Sequence, residues 1–102
     1  MINKNAIELR NIDLNGLTLM DELNKANEEV KEFKDVVHEY LYLKNDNWSK
    51  KAINESREHI KEEFCDVVQS HLSVLKILDI DIKEITDYWN IKHLKKIKNR
   101  PR

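Results

Sequence analysis

The fold of this chain follows from residues 18–41, which read TLMDELNKANEEVKEFKDVVHEYL. Apolar side chains recur there at steps of three and four, which is the spacing of one face of an α-helix. The apolar positions are Met20, Leu23, Ala26, Val30, Phe33, Val37 and Leu41. Thr18, with Asp21 three residues later, has the pattern of an N-terminal capping box. This stretch therefore predicts a long amphipathic helix capped by Thr18.

The rest of the chain repeats the helical pattern twice. A second stripe covers about residues 49–77, after a polar break at residues 44–47. Its apolar-face positions are Ile53, Ile60, Phe64, Val67, His71, Leu75 and Leu78. Asp81 and Glu84 form another capping pair, which predicts a shorter helix that carries Trp89 and Ile91 and fades into the basic tail. We therefore predict an all-α fold, an antiparallel helical bundle of two long helices plus a shorter C-terminal helix.

The composition fits one small helical domain. Of the 102 residues, 36% are charged, and Gly16 and Pro101 are the only glycine and proline. Sheet proteins use more of both residues in their turns. We expect residues 1–17 to form an arm or a short helix and residues 18–102 to form the helical domain. Because two long helices expose much apolar surface, we expect a homodimer or homotetramer that completes a four-helix core.

The charge distribution, the cysteine content and the hydropathy of the chain argue against several classes of protein. Six basic residues and no acid lie between residues 92 and 102, but this tail is too short to indicate binding to a nucleic-acid polymer. Cys65 is the only cysteine, so it forms no intrachain disulfide, and we expect it to fill a small space in the core. Without a membrane-length apolar run or a signal peptide, the sequence predicts a cytoplasmic protein with no membrane partner.

Two short acidic segments carry the strongest chemical signal. Residues 28–33 read EEVKEF and residues 62–67 read EEFCDV. Each segment places two carboxylates three residues apart, where they are neighbours on a helix surface. The pairs are Glu29 with Glu32 and Glu63 with Asp66. If the two helices pack together, four carboxylates converge, and a hard divalent cation such as Mg²⁺ or Mn²⁺ relieves their repulsion.

The residues alone leave less specific interpretations open. Charge-rich helices commonly carry acids at i and i+3 as a solvated face. Lys96 and Arg100 fit cations that complement a helix dipole, and they equally fit contacts to phosphate groups. Trp48 and Trp89 suit stacking on a base, or a place in the core or in a dimer interface.

The order of these features resembles the MazG-type nucleotide pyrophosphohydrolases. That family carries E-x-x-E on one helix and E-x-x-D on the next, and the four paired acids fall on those positions. Residues 93–100, HLKKIKNR, resemble the H-x-x-K-L-x-x-R ending of its phosphoribosyl-ATP pyrophosphohydrolase-like branch. Ser70 stands where many members carry an aromatic residue, which leaves the choice of substrate open.

The resemblance implies an all-α enzyme that binds Mg²⁺, or Mn²⁺ in its place, through the four acids. It implies hydrolysis of a nucleoside triphosphate or a related nucleotide to a monophosphate and pyrophosphate. The same acids would be catalytic, and Lys96 and Arg100 would bind the phosphates of the substrate. The preferred base and sugar and the identity of the general base stay open. The alternative is a non-catalytic helical module for interaction or dimerisation.

Overall fold

The computed structural model describes residues 18–100, and over that range it contains helices and turns but no strand. Helix α1 spans Leu19–Asn45 and α2 spans Lys50–Ile77. Helix α3, Ile82–Tyr88, continues through a π-helical turn, Trp89–His93, into α4, Leu94–Lys98. The predicted all-α fold with two long antiparallel helices and a shorter C-terminal helix is confirmed. The expected arm at residues 1–17 lies outside the described residues.

Polar caps set where the helices begin. The Thr18 hydroxyl accepts a hydrogen bond from the N–H of Asp21, and the Asp21 carboxylate accepts one from the N–H of Thr18, both at 3.1 Å. Asp81 and Glu84 form the same reciprocal pair at the start of α3, with both bonds at 2.9 Å. The Ser49 hydroxyl caps α2. These bonds satisfy N–H groups that the first helical turn leaves unpaired.

Both long helices end in the same hydrogen-bonded turn. Asn47 and Asp79 adopt the left-handed conformation, with φ of 55° and 58°, which short polar side chains tolerate. After α1, the N–H of Trp48 donates to the carbonyl of Leu43 at 3.0 Å, and an equivalent bond follows α2. This arrangement is the Schellman motif. It reverses the chain within a few residues, so α2 runs back along α1.

The two long helices meet along a line of small and polar side chains, which we call the seam. The buried residues that line it are Glu22, Ala26, Glu29 and Val36 on α1 and Ser56 and Ser70 on α2, with the less buried Glu63 between the two serines. Leu72 and Ser73 are buried as well, but Leu72 follows Ser70 by two positions and therefore lies on another face of α2. The predicted apolar stripes are only partly covered: Ala26 of the α1 stripe is buried, whereas Leu23, Leu41 and Phe64 stay 39%, 48% and 52% exposed.

Cys65 is exposed, so its predicted place in the core is wrong. It follows Glu63, which lies on the seam, by two residues. At about 100° per residue, two positions turn the side chain to the far side of the helix.

Apolar and charged side chains lie on opposite sides of the seam. At about 100° per residue, Val37 lies on one side of the buried line of α1, and Glu32 and Glu39 lie on the other. On the apolar side, the rings of Phe33 and Phe64 approach to 5.7 Å between centroids. The helix pair therefore presents an apolar flank and a charged flank.

The remaining helices form one continuous unit, residues 82–98, which we call the C-terminal segment. Substantial packing between described elements joins α1 to α2, and joins the parts of this segment to one another. Its apolar side chains stay exposed, Tyr88 at 59% and Ile91 at 62% among them. An isolated helix of this length is only marginally stable in water, so the segment needs a surface to pack on. None of the described helices has the length and apolar character needed to cross a membrane.

Candidate metal centre

Three of the four predicted metal-binding acids meet on the seam and the charged flank. One carboxylate oxygen from each of Glu29, Glu32 and Glu63 lies within 4.8 Å of the other two. Glu29 and Glu32 come from α1 and Glu63 comes from α2, so the pairing of the helices brings them together. Oxygen ligands of one Mg²⁺, bound at 2.0–2.1 Å, lie about 3–4 Å apart. Small side-chain movements therefore suffice for the three acids to share an ion.

Two of these carboxylates each keep a buried oxygen unpaired. Glu29 is 5% exposed, and the side chain of Glu63 is 15% exposed. Oε2 of each is shielded from solvent and has no hydrogen-bond partner among the described residues. A buried polar atom without a partner costs about 1–3 kcal/mol, and more when it is charged. A cation bound at this cluster would supply a partner for buried oxygens of this kind, so these residues fit a metal ion.

The other oxygen of each buried acid pairs with a cation on the same helix. Lys25 Nζ lies 2.8 Å from Glu29 Oε1, and His59 Nε2 lies 3.3 Å from Glu63 Oε1. Hydrogen bonding to Glu29 raises the pKa of Lys25 above its ordinary value. Both cationic side chains are substantially exposed, at 56% and 45%, so water weakens these attractions. Three carboxylates face one lysine and one histidine, so the cluster keeps a net negative charge.

The negative charges nearby shift the pKa of Glu32. The charge of Glu29 is the main cause that raises the pKa of the Glu32 carboxyl. Lost hydration, the charge of Glu63 and a hydrogen bond that the protonated Glu32 carboxyl gives to Glu29 add to it. An acid whose ionised form is disfavoured by like charges gains most when a cation arrives. The raised pKa of Glu32 and the convergence of the three carboxylates therefore both favour a cation at this cluster.

The other predicted site residues lie apart from this cluster. Asp66 is exposed on α2, one turn after Glu63, and it is not one of the three converging acids. Lys96 in α4 and Arg100 just beyond it are exposed as well. Their segment does not pack substantially on the helix pair of its own chain, as far as the described residues show. The structure brings together three of the six predicted residues.

A seven-residue spacing is the sequence signal that locates the seam. It separates Glu22, Glu29 and Val36 on α1, and Ser56, Glu63 and Ser70 on α2. Seven residues are close to two helical turns, so these side chains lie on nearly the same face. A search for large apolar residues misses this line, because most of its members are small or acidic.

Comparison of the chain with protein-family models, with curated proteins and with solved structures found no match. The resemblance to MazG-type enzymes accordingly stays a prediction that rests on the motif residues themselves.

Proposed function

We propose that this chain is a divalent-cation-dependent nucleotide pyrophosphohydrolase. The observation that carries the proposal is the pair of buried, unpartnered oxygens on Glu29 and Glu63, with Glu32 beside them. Buried like charges that are only partly compensated by exposed partners are destabilising, which favours a bound cation as the reason for their presence. The order of the acids along the two helices resembles the MazG motif, which supplies the class of reaction.

In this proposal Glu29, Glu32 and Glu63 hold Mg²⁺ or Mn²⁺, and Asp66 joins them from the next turn of α2. The ion, when bound, neutralises phosphate charge and makes bound water more acidic. The water oxygen bonds to phosphorus, the bond between the α and β phosphates breaks, and a carboxylate accepts the proton of the water. The products are a nucleoside monophosphate and pyrophosphate.

Lys96 and Arg100 would bind the phosphates of the substrate, Arg100 through two parallel hydrogen bonds and Lys96 as a point charge. Because their segment does not pack on its own helix pair, a second copy of the chain would bring them to the acids. A homodimer of this kind would also cover the exposed apolar flank.

The second candidate is a non-catalytic helical interaction module. The exposed apolar side chains of the C-terminal segment favour it, since such a segment can dock on another protein. In that case the acids serve solubility and bind no ion.

The experiment is an assay of pyrophosphate release from a panel of canonical and modified nucleoside triphosphates, with Mg²⁺ or with a chelator. We expect Mg²⁺-dependent release from at least one nucleotide, and a fall in kcat of about 100-fold or more for Glu63→Gln. The matched control is Glu62→Gln, an exposed acid beside it, which should keep parental activity. No Mg²⁺-dependent release from any nucleotide, or equal losses in both variants, would contradict the proposal.

A further inference from the structure

A groove of about 510 Å³ lies beside the turn between α1 and α2, on the charged flank. Its walls combine an aromatic ring and an aliphatic side chain with acids, a hydroxyl and an imidazole. The residues that form it include Glu39, Leu43, Trp48, Glu55, Ser56 and His59.

Trp48 is a fixed aromatic wall of this groove. Its N–H donates to the carbonyl of Leu43 in the turn that ends α1, and the next residue, Ser49, caps α2. The backbone on both sides of Trp48 is therefore held by hydrogen bonds. The side chain is 52% exposed, so part of its ring surface is open to a ligand.

Ser56 supplies a hydroxyl that no described residue uses. The residue is 5% exposed, and its Oγ is buried without a hydrogen-bond partner. The two other buried serines of α2 behave differently, because the hydroxyls of Ser70 and Ser73 donate to carbonyls of their own helix at 2.9 and 3.0 Å. The unpaired hydroxyl thus coincides with the groove.

The groove and the acid cluster are parts of one surface. His59 lines the groove and also contacts Glu63. Ser56 precedes Glu63 by seven residues, which is about 10 Å along the helix at about 1.5 Å per residue. A nucleotide whose phosphates lie at the acids would have its base at about this distance.

We propose that this groove binds the base of the nucleotide and selects bases that carry an exocyclic amino group over uracil and thymine. The inference rests on the proposed function, which puts the phosphates at the acid cluster. Stacking on Trp48 accepts any base. Glu39 and Glu55 provide the selection, because an ionised carboxylate only accepts hydrogen bonds. It attracts the amino group of cytosine and repels the carbonyl oxygen that uracil has at the same position.

The test uses free nucleosides without metal, so that neither phosphate binding nor hydrolysis contributes. Cytidine and uridine are the matched probes, since they differ by an amino group in place of a carbonyl. In a Trp89→Phe protein, Trp48 is the only tryptophan and its fluorescence reports on the groove. We expect both nucleosides to quench it, and cytidine to bind about tenfold more tightly, the effect of one hydrogen bond to a charged group.

Three variants localise the effect. Glu39→Gln and Glu55→Gln should reduce the preference for cytidine, because an amide can also donate to the uracil carbonyl. Glu58→Gln is the control, since Glu58 pairs with Lys61 at 2.7 Å and does not line the groove. It should leave the preference unchanged.

The outcomes separate this inference from the proposed function. If no nucleoside changes the fluorescence of Trp48, or if cytidine and uridine bind equally, the base site is overturned, even when the protein releases pyrophosphate. If cytidine binds preferentially and no nucleotide yields pyrophosphate with Mg²⁺, the groove stands as a nucleoside site and the proposed function falls.

Discussion

At the scale of single residues, the acids of α1 and α2 destabilise the metal-free fold and are also the candidate metal ligands. Glu29 and Glu63 each pair one oxygen with a cation and keep the other buried and unpaired. Glu32 completes a group of three within 4.8 Å. Without a cation these charges oppose folding, and in the proposed metal centre they are the ligands of the ion. Stability and metal binding should therefore be linked at these positions.

Mg²⁺ or Mn²⁺ should raise the melting temperature of the protein, because an ion that binds only the native state stabilises it. At 100 times the dissociation constant the gain is about 2.7 kcal/mol, which is on the order of ten degrees for a domain of this size. Glu63→Gln should remove most of the rise, whereas Glu62→Gln should keep it. Thermal melts with and without metal measure this, and identical melts of the parent would remove the basis of the metal centre.

Glu32→Gln should stabilise the metal-free protein at pH 7 and weaken its response to Mg²⁺. Like charges raise the pKa of Glu32 in the folded state, so the folded chain holds this proton more tightly than the unfolded chain does. The contribution of Glu32 to the free energy of unfolding is fully present below the pKa that it has in the unfolded chain. It is lost as the pH rises through the pKa that it has in the folded chain. The gain from Glu32→Gln should therefore shrink as the pH falls to about 4. Melting curves of the chelated proteins at several pH values test this, and a less stable variant at pH 7 would contradict it.

At the scale of helices, side-chain size on the seam controls how closely α1 and α2 approach. Ala26, Ser56 and Ser70 are all 5–6% exposed. The Ser70 hydroxyl bonds to its own helix, so its burial needs no partner across the seam. A larger side chain on this line would separate the helices, and the acids with them.

Ala26→Leu should therefore destabilise the protein although leucine is the more hydrophobic residue. Overpacking at a buried position costs about 1–3 kcal/mol. The control is Asn27→Leu, at an exposed neighbouring position of α1, which should change stability by no more than about 0.5 kcal/mol. Denaturant melts of both variants measure the difference. Equal stabilities would mean that the seam has room for larger side chains.

At the scale of the whole molecule, apolar surface is exposed on two parts of the chain. Leu41 and Phe64 expose about half of their surface on the apolar flank, as Trp89 does on the C-terminal segment. Surfaces of this kind mark contacts with another protein chain. A second copy that offers the same two surfaces can cover both, which is the reason for the proposed homodimer.

Sedimentation should show a dimer or a larger assembly of the parent at micromolar concentration. Phe64→Asp should shift it to a monomer, because a charge in the covered flank loses its hydration without gaining a partner. Cys65→Asp is the matched control, because Cys65 is exposed and lies about 100° round the same helix, away from the apolar flank, and it should leave the assembly intact. A monomeric parent would mean that the chain covers its own apolar flank.

The sequence by itself determined where the helices lie. The three- and four-residue spacing predicted both long helices, and the second begins close to the predicted residue 49. The capping pairs at Thr18 and Asp81 correctly marked the starts of α1 and α3. These features depend on interactions between residues only a few positions apart, so one stretch of chain contains all the information. The acidic pairs were visible for the same reason.

Only the tertiary structure decided which faces of the helices meet. The seam passes through Ala26, Ser56 and Ser70 and leaves large side chains of the apolar stripes partly exposed, because the contact face depends on side-chain volume and register on both helices at once. That pairing brings Glu63 to Glu29 and Glu32 and leaves Asp66 outside the cluster. It also forms the groove beside Trp48 from residues of both helices. Neither feature is a property of one stretch of chain, since each depends on how the two helices are placed against each other.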